Sequence, residues 1–151
     1  MACNHKVVGT CGCFDLIHDG HIKLLEAMRC IGDEVIVFLN SDDSVRRIKG
    51  EGRPVLPFAA RAKILGSIRY VNSIIPFHED TVISALQKFF DNRPDVGCGN
   101  FFWLKHWEYA QSDIPEREVI EKRGGIVLFF GGEKLISSAK IIDSIIGKLP
   151  Q

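Results

Sequence analysis

The 151-residue sequence predicts an α/β fold: a Rossmann-like, doubly wound, five-stranded parallel sheet with helices on both faces. Three observations predict it. Short runs of unalternated Val, Ile, Leu and Phe recur along the chain, the pattern of strands buried on both faces. Helix-length amphipathic segments separate these runs, as parallel crossovers require. Polar, glycine-bearing turns follow them, and open parallel sheets bind ligands beyond the carboxyl ends of their strands.

Lys6-Val7-Val8-Gly9-Thr10 reads as the first strand. Residues 20–31 read as a helix, with Ile22, Leu24, Leu25, Met28 and Ile31 close to a helical period, and Gly32-Asp33 stops it. Residues 34–39 form the second strand, followed by a basic loop, Arg46-Arg47-Ile48-Lys49. A helix over 57–67 carries Phe58, Ala62 and Leu65 on one side, and the third strand spans 73–77. Thr81 is the expected cap of a helix over 81–90. Val96 begins a short fourth strand that glycines soon interrupt. A helix over 115–123 ends at Gly124-Gly125, the fifth strand covers 126–130, and Ser137 caps a last helix through Ile146. Three loops are expected to meet at the strand ends: residues 12–21, Asn40-Ser41-Asp42, and Gly97-Cys98-Gly99-Asn100.

The composition, 46% hydrophobic and 25% charged, suits one globular domain over residues 1–151. Lys plus Arg equals Asp plus Glu at 19 each, which argues against nucleic acid as a partner, since such proteins carry a basic excess. No apolar run approaches membrane-spanning length, and the first residues carry no apolar leader, so no membrane partner is expected. Five cysteines, an odd number without a paired framework, point to reduced thiols and a cytoplasmic location. Cys11-Gly12-Cys13 is half of a metal site at most, since no second cysteine pair answers it.

The most informative stretch is Gly12-Cys13-Phe14-Asp15-Leu16-Ile17-His18-Asp19-Gly20-His21. Here a strand passes into a helix whose first backbone N–H groups lack internal partners and point outward with the positive end of the dipole. His18 and His21 add imidazole donors there, and Gly20 permits close backbone approach. Such a turn can hold a phosphate; the plainer alternative makes His18 a core residue and His21 a helix cap.

This stretch resembles the HxGH signature of the cytidylyltransferase-like nucleotidyltransferases. Residues 40–54, from Asn40 to Pro54, resemble the second signature of the ADP-heptose synthase branch, and Phe77-His78-Glu79-Asp80-Thr81 and Arg93-Pro94-Asp95-Val96 resemble further segments of it. Ile136-Ser137-Ser138-Ala139-Lys140 is similar to the ISTTK-type helix start of glycerol-3-phosphate cytidylyltransferases.

The resemblance implies a nucleotidyltransferase, in which an acceptor phosphate attacks the α-phosphorus of a nucleoside triphosphate and pyrophosphate leaves. His18, His21 and Lys49 would be catalytic. Gly12, Cys13, Phe14, Asp15, Gly20, Ser137 and Ser138 would bind the nucleotide, and Asp42, Arg53, Arg61 and Asn100 the substrate. Each has a plainer reading: Lys49 and Arg53 in a solvated loop, Arg61 on the surface, Asp15 as a shaping residue, Asp42, Ser137 and Ser138 as caps. Mg²⁺ would accompany the triphosphate with few protein ligands, so no metal-binding residues are assigned. A homodimer is implied, as relatives commonly form one.

The acceptor implied first is heptose 1-phosphate, with ATP; the alternative is CTP with glycerol 3-phosphate or another polyol or amino-alcohol phosphate. A different class, a nucleotide-binding module without turnover, rests on departures from the family. The heptose branch has a lysine-glycine-glycine-aspartate-tyrosine segment after its Arg-Pro-Asp-Val, whereas residues 97–102 here lack the lysine and the aspartate. An arginine expected before the ISTT serine falls near Gly132-Glu133, with Lys134 next. Trp103 and Trp107 fit neither branch and suit core packing or a pocket wall.

Overall fold

A computed structural model of the protein describes residues 5–110, 112–132 and 136–148. Five strands form one parallel sheet: β1 (Val7–Gly12), β2 (Glu34–Asn40), β3 (Ser73–Phe77), β4 (Phe101–His106) and β5 (Ile126–Phe130), in the order β3-β2-β1-β4-β5. The order reverses between β1 and β4, which makes the sheet doubly wound and opens a crevice beyond those two strands.

Among the described residues six α-helices accompany the sheet: α1 (Asp19–Ile31), α2 (Asp42–Lys49), α3 (Phe58–Gly66), α4 (Ile83–Asn92), α5 (Arg117–Lys122) and α6 (Ser138–Ile146). Leu25 and Met28 of α1 and Leu65 of α3 pack with Val8, Val35, Val37, Leu39 and Leu104 on one face. Leu86, Phe89 and Phe90 of α4 and Ile120 of α5 pack with Phe38, Phe101 and Trp103 on the other. Each buried apolar side chain contributes on the order of 1.5–3 kcal/mol relative to exposure, so both layers hold the sheet. Among the described residues no helix is long and apolar enough to cross a membrane.

Three expectations need correction. The fourth strand does not begin at Val96. Residues 97–100 form a turn held to the end of α5, with Cys98 N–H donating to Arg123 O at 2.7 Å and Gly99 N–H to Gly124 O at 2.8 Å. The strand is the aromatic run starting at Phe101, whose side chains suit a pleated, buried surface. Trp103 is fully buried there against Gly9 of β1, where a Cβ would come within 2.8 Å of the indole. Second, the expected basic loop is mostly helix α2, which Ser41 caps by accepting from Ser44 N–H at 3.3 Å. Third, Thr81 caps nothing: α4 starts at Ile83 without a side-chain cap.

Candidate active site

The turn between β1 and α1 holds two non-glycine residues in left-handed conformations, Phe14 at φ 46° and Leu16 at φ 50°. Such backbone costs on the order of 1–3 kcal/mol per residue and is retained where the surroundings demand it. Between them stands Asp15, whose carboxylate is fully buried. It accepts from Arg53 Nε at 3.1 Å, Val55 N–H at 2.8 Å and Leu56 N–H at 3.0 Å, so it anchors residues 53–56 to this turn.

His18 precedes α1 in extended conformation and His21 lies in its first turn. The rings stack with centroids 3.9 Å apart, and Phe14 packs against His21 at 5.0 Å. His18 N–H donates to His21 Nδ1 at 3.3 Å. A backbone N–H only donates, so that ring nitrogen is the acceptor in a contact that closes the start of α1. Gly20 leaves room for this stack, since a Cβ would meet the His18 ring at 3.1 Å. The helix start of α6 joins the same turn. Ser138 Oγ donates to Asp15 O, while Ser137 Oγ accepts from Lys140 N–H at 3.2 Å.

Cations gather beside Cys13. Burial raises the pKa of its thiol, while the charges of Lys49, Arg61 and Arg53 oppose the rise, which places all three in one neighbourhood. Lys49 ends α2, exposed. Arg53 is mostly covered beside Asp15. Arg61 is completely buried. It donates to Leu56 O at 3.0 Å, Cys13 O at 2.6 Å, Asn40 O at 2.9 Å and Asp42 Oδ1 at 2.7 Å. Four of its five N–H groups are thereby engaged, and it ties the ends of β1 and β2 to α2 and α3. The expected direct contact of Arg61 with substrate is not open in this conformation, because the guanidinium has no exposed edge. Asp42 is likewise occupied by Arg61; burial disfavours its charge, but the Arg61 hydrogen bond prevails and its pKa lies below the usual carboxylate value.

Asn100 belongs to the opposite end of the sheet. Its side chain accepts from Gly97 N–H at 2.9 Å and donates to His5 O at 3.2 Å and Asp95 O at 3.0 Å, next to the start of β1. It is a turn-forming residue remote from the histidines, because parallel strands put the residues before β4 at the amino edge. Of the three expected rim loops, two are present, and the third is the one after β4. That loop was hidden by the misplaced strand. It begins Lys105-His106-Trp107-Glu108-Tyr109. The β propensity of residues 101–104 was the available signal.

Lys105 pairs with Glu116 at 2.7 Å and donates to Cys11 Sγ at 3.3 Å. Burial works against its charge, yet Cys11 and Glu116 push its pKa above the ordinary lysine value. Burial also pushes the Cys11 thiol up to about 11, only partly offset by Lys105. Cys11 and Cys13 are free thiols, and among the described residues no three His, Cys, Asp or Glu side chains could jointly hold a metal. Glu133 and Lys134 lie outside the described residues. A cleft of about 350 Å³ between β3 and α4, lined by Ile75, Phe77, His78 and Lys88, is set apart from the β1–β4 crevice and lacks the paired helix starts.

The family described as Cytidylyltransferase-like matches this chain over residues 10–146. The chain belongs to that family. Among curated relatives, the bifunctional protein HldE of Streptomyces coelicolor is 44% identical over 119 residues, covering 79% of this chain and 24% of its own length. HldE of Shewanella loihica is 36% identical over 143 residues, covering 95% of this chain and 28% of its own. The chain thus spans about a quarter of the length of these relatives. The crystal structure of the lipopolysaccharide core biosynthesis protein from Thermoplasma volcanium GSS1 superimposes with a TM-score of 0.63 at 22% identity, covering 86% of this chain and 99% of that one. At that identity it supports the fold. The cytidylyltransferase-like signature therefore lies on a doubly wound sheet, with both HxGH histidines at its switch point.

Proposed function

We propose that this chain is a nucleotidyltransferase that joins the nucleoside monophosphate of ATP to a phosphorylated sugar, heptose 1-phosphate first, and releases pyrophosphate. The observation that carries the reading is the stacked pair of His18 and His21 at the start of α1, beyond the carboxyl end of β1 where the strand order reverses. An acceptor phosphate oxygen attacks the α-phosphorus while the bond to the β-phosphate bridging oxygen breaks. Catalysis then consists of alignment and of stabilising charge on the phosphoryl oxygens. In this reading His18, His21 and the helix starts of α1 and α6 meet the triphosphate, and Lys49 approaches it from α2. Asp15 and Arg61 hold the turn and the cationic segment in register. Mg²⁺ brought in with the triphosphate would supply further charge neutralisation.

Likeness to the heptose branch over residues 40–54 and the HldE relatives support ATP and heptose 1-phosphate. A second reading, CTP with a polyol phosphate, is favoured by Ser137-Ser138 at the start of α6, beside Asp15. The third reading, a binding module without turnover, is supported by the lysine and aspartate absent from residues 97–102. A pyrophosphate-release screen of ATP and CTP against heptose 1-phosphate, glycerol 3-phosphate, ribitol phosphate and amino-alcohol phosphates tests all three. Release with ATP and heptose 1-phosphate is expected. Nucleotide binding without release under any acceptor would replace the enzyme with a binding module.

A further inference from the structure

We infer that Trp107 is the stacking platform for the nucleobase of the triphosphate, an inference that rests on the nucleotidyltransferase reading and adds to it a base subsite. Three observations carry it.

The first is position. Trp107 opens the 3-10 turn Trp107–Tyr109 at the carboxyl end of β4, beside the crevice where the strand order reverses. The second is exposure. Of the two tryptophans, Trp103 is fully buried while Trp107 is 55% exposed, and Tyr109 next to it is 43% exposed. A large flat side chain left open at a ligand crevice is an unused apolar face, and every nucleobase has a π-face to cover it.

The third is rigidity. His106 caps the turn by accepting from Glu108 N–H at 3.3 Å, and Ala110 N–H donates to Trp107 O at 2.8 Å. Beneath it, Lys105 Nζ lies 5.4 Å from the Tyr109 ring centroid. Lys105 is itself held by Glu116, which is 3% exposed and also accepts from Trp103 Nε1 at 3.0 Å. A buried ion pair of this kind is a weak stabiliser, because desolvation offsets most of the attraction. Its structural effect is to fix the ammonium under Tyr109 and thereby the turn that bears Trp107. A purine covers more of an indole than a pyrimidine does, so stacking on Trp107 favours ATP over CTP.

The test compares ATP with tripolyphosphate, which carries the same phosphates without a base, on the full chain by calorimetry. Trp107→Ala is expected to weaken ATP binding about tenfold, the order of one lost base–aromatic stack. Tripolyphosphate affinity is expected to stay within twofold, and Trp107→Phe to recover most of the ATP affinity. ATP should also quench the exposed tryptophan emission of the parent chain. Equal losses for ATP and tripolyphosphate, or unchanged ATP affinity in Trp107→Ala, would overturn the base subsite while leaving nucleotidyl transfer standing. Failure of the parent chain to bind either ATP or tripolyphosphate would remove both.

Discussion

The Asp15 carboxylate, fully buried, accepts the Arg53 Nε–H at 3.1 Å and so couples the strained β1–α1 turn to the segment after α2. Two backbone N–H groups, of Val55 and Leu56, complete its shell. The histidines and Lys49 flank this junction in sequence, and its rigidity decides whether they address one ligand.

Asp15→Asn keeps the shape but turns an acceptor-only group into one with an amide that faces donors. A loss of about 2–4 kcal/mol is expected for hydrogen bonds to a buried charge. For a chain of this size each kcal/mol lowers the melting temperature by roughly 2–4 °C. Thermal unfolding checks it, and an unchanged midpoint would show that the junction is not held this way.

His21→Ala should leave the fold intact and lower turnover by about two powers of ten or more, the effect of one lost charge-stabilising donor. Lys49→Ala, exposed at the end of α2, should weaken triphosphate binding or turnover without a change in melting temperature. Steady-state pyrophosphate release reads both, and activity retained in either variant removes that residue from the site.

Arg61→Lys is expected to fail as a conservative change. Lysine carries a point charge and three donors, against four acceptors placed around a planar fork. Destabilisation of about 3 kcal/mol or more is expected from the unpaired acceptors. Urea unfolding measures it. A stable Arg61→Lys with altered substrate KM would instead return Arg61 to ligand contact.

Acid should destabilise the protein through carboxylates at the amino edge of the sheet. Burial disfavours the charge of Glu34, but Arg93 and His5 outweigh it; the Arg93 hydrogen bond lowers Asp95, and the Lys6 backbone N–H lowers Asp33. A lowered folded value gives stability that is present above the unfolded pKa of about 4 and is lost as pH falls through the folded one. Urea midpoints should therefore hold down to about pH 5 and then drop. Arg93→Gln should be less stable at pH 7 and converge with the parent at low pH; a constant gap would rule out this linkage.

Cysteine reactivity should follow burial. Cys30 and Cys98 are exposed, whereas burial pushes the Cys11 thiol up to about 11. Alkylation at pH 7.5, followed by mass spectrometry, should label Cys30 and Cys98 well before Cys11, since the thiolate is the reacting form. Early labelling of Cys11 would mean that the Lys105–Glu116 cluster opens readily.

The strands β1, β2, β3 and β5 were legible because each is an apolar run with a glycine or charged stop after it. The HxGH turn was legible for a local reason too: a strand, a glycine and two histidines determine a helix start within ten residues. β4 was not, since Gly97 and Gly99 masked where the strand begins, and the placement of its rim loop went with it. Asn100 was expected at the wrong end of the sheet as a consequence, and Lys105 and Glu116 were not among the expected site residues. Arg61 was visible as a family position, but nothing local in the sequence shows that Leu56, Cys13, Asn40 and Asp42 would converge on it.

By itself the sequence determined the α/β class, the parallel alternation and the strand-to-helix turn that bears His18 and His21, because periodicity and helix starts are properties of neighbouring residues. Only the tertiary structure decided which cations are exposed and which are sealed, which end of the sheet each loop joins, and which tryptophan is exposed. Those depend on strand order and on contacts between segments tens of residues apart, where burial and hydrogen-bond partners are set by the whole sheet.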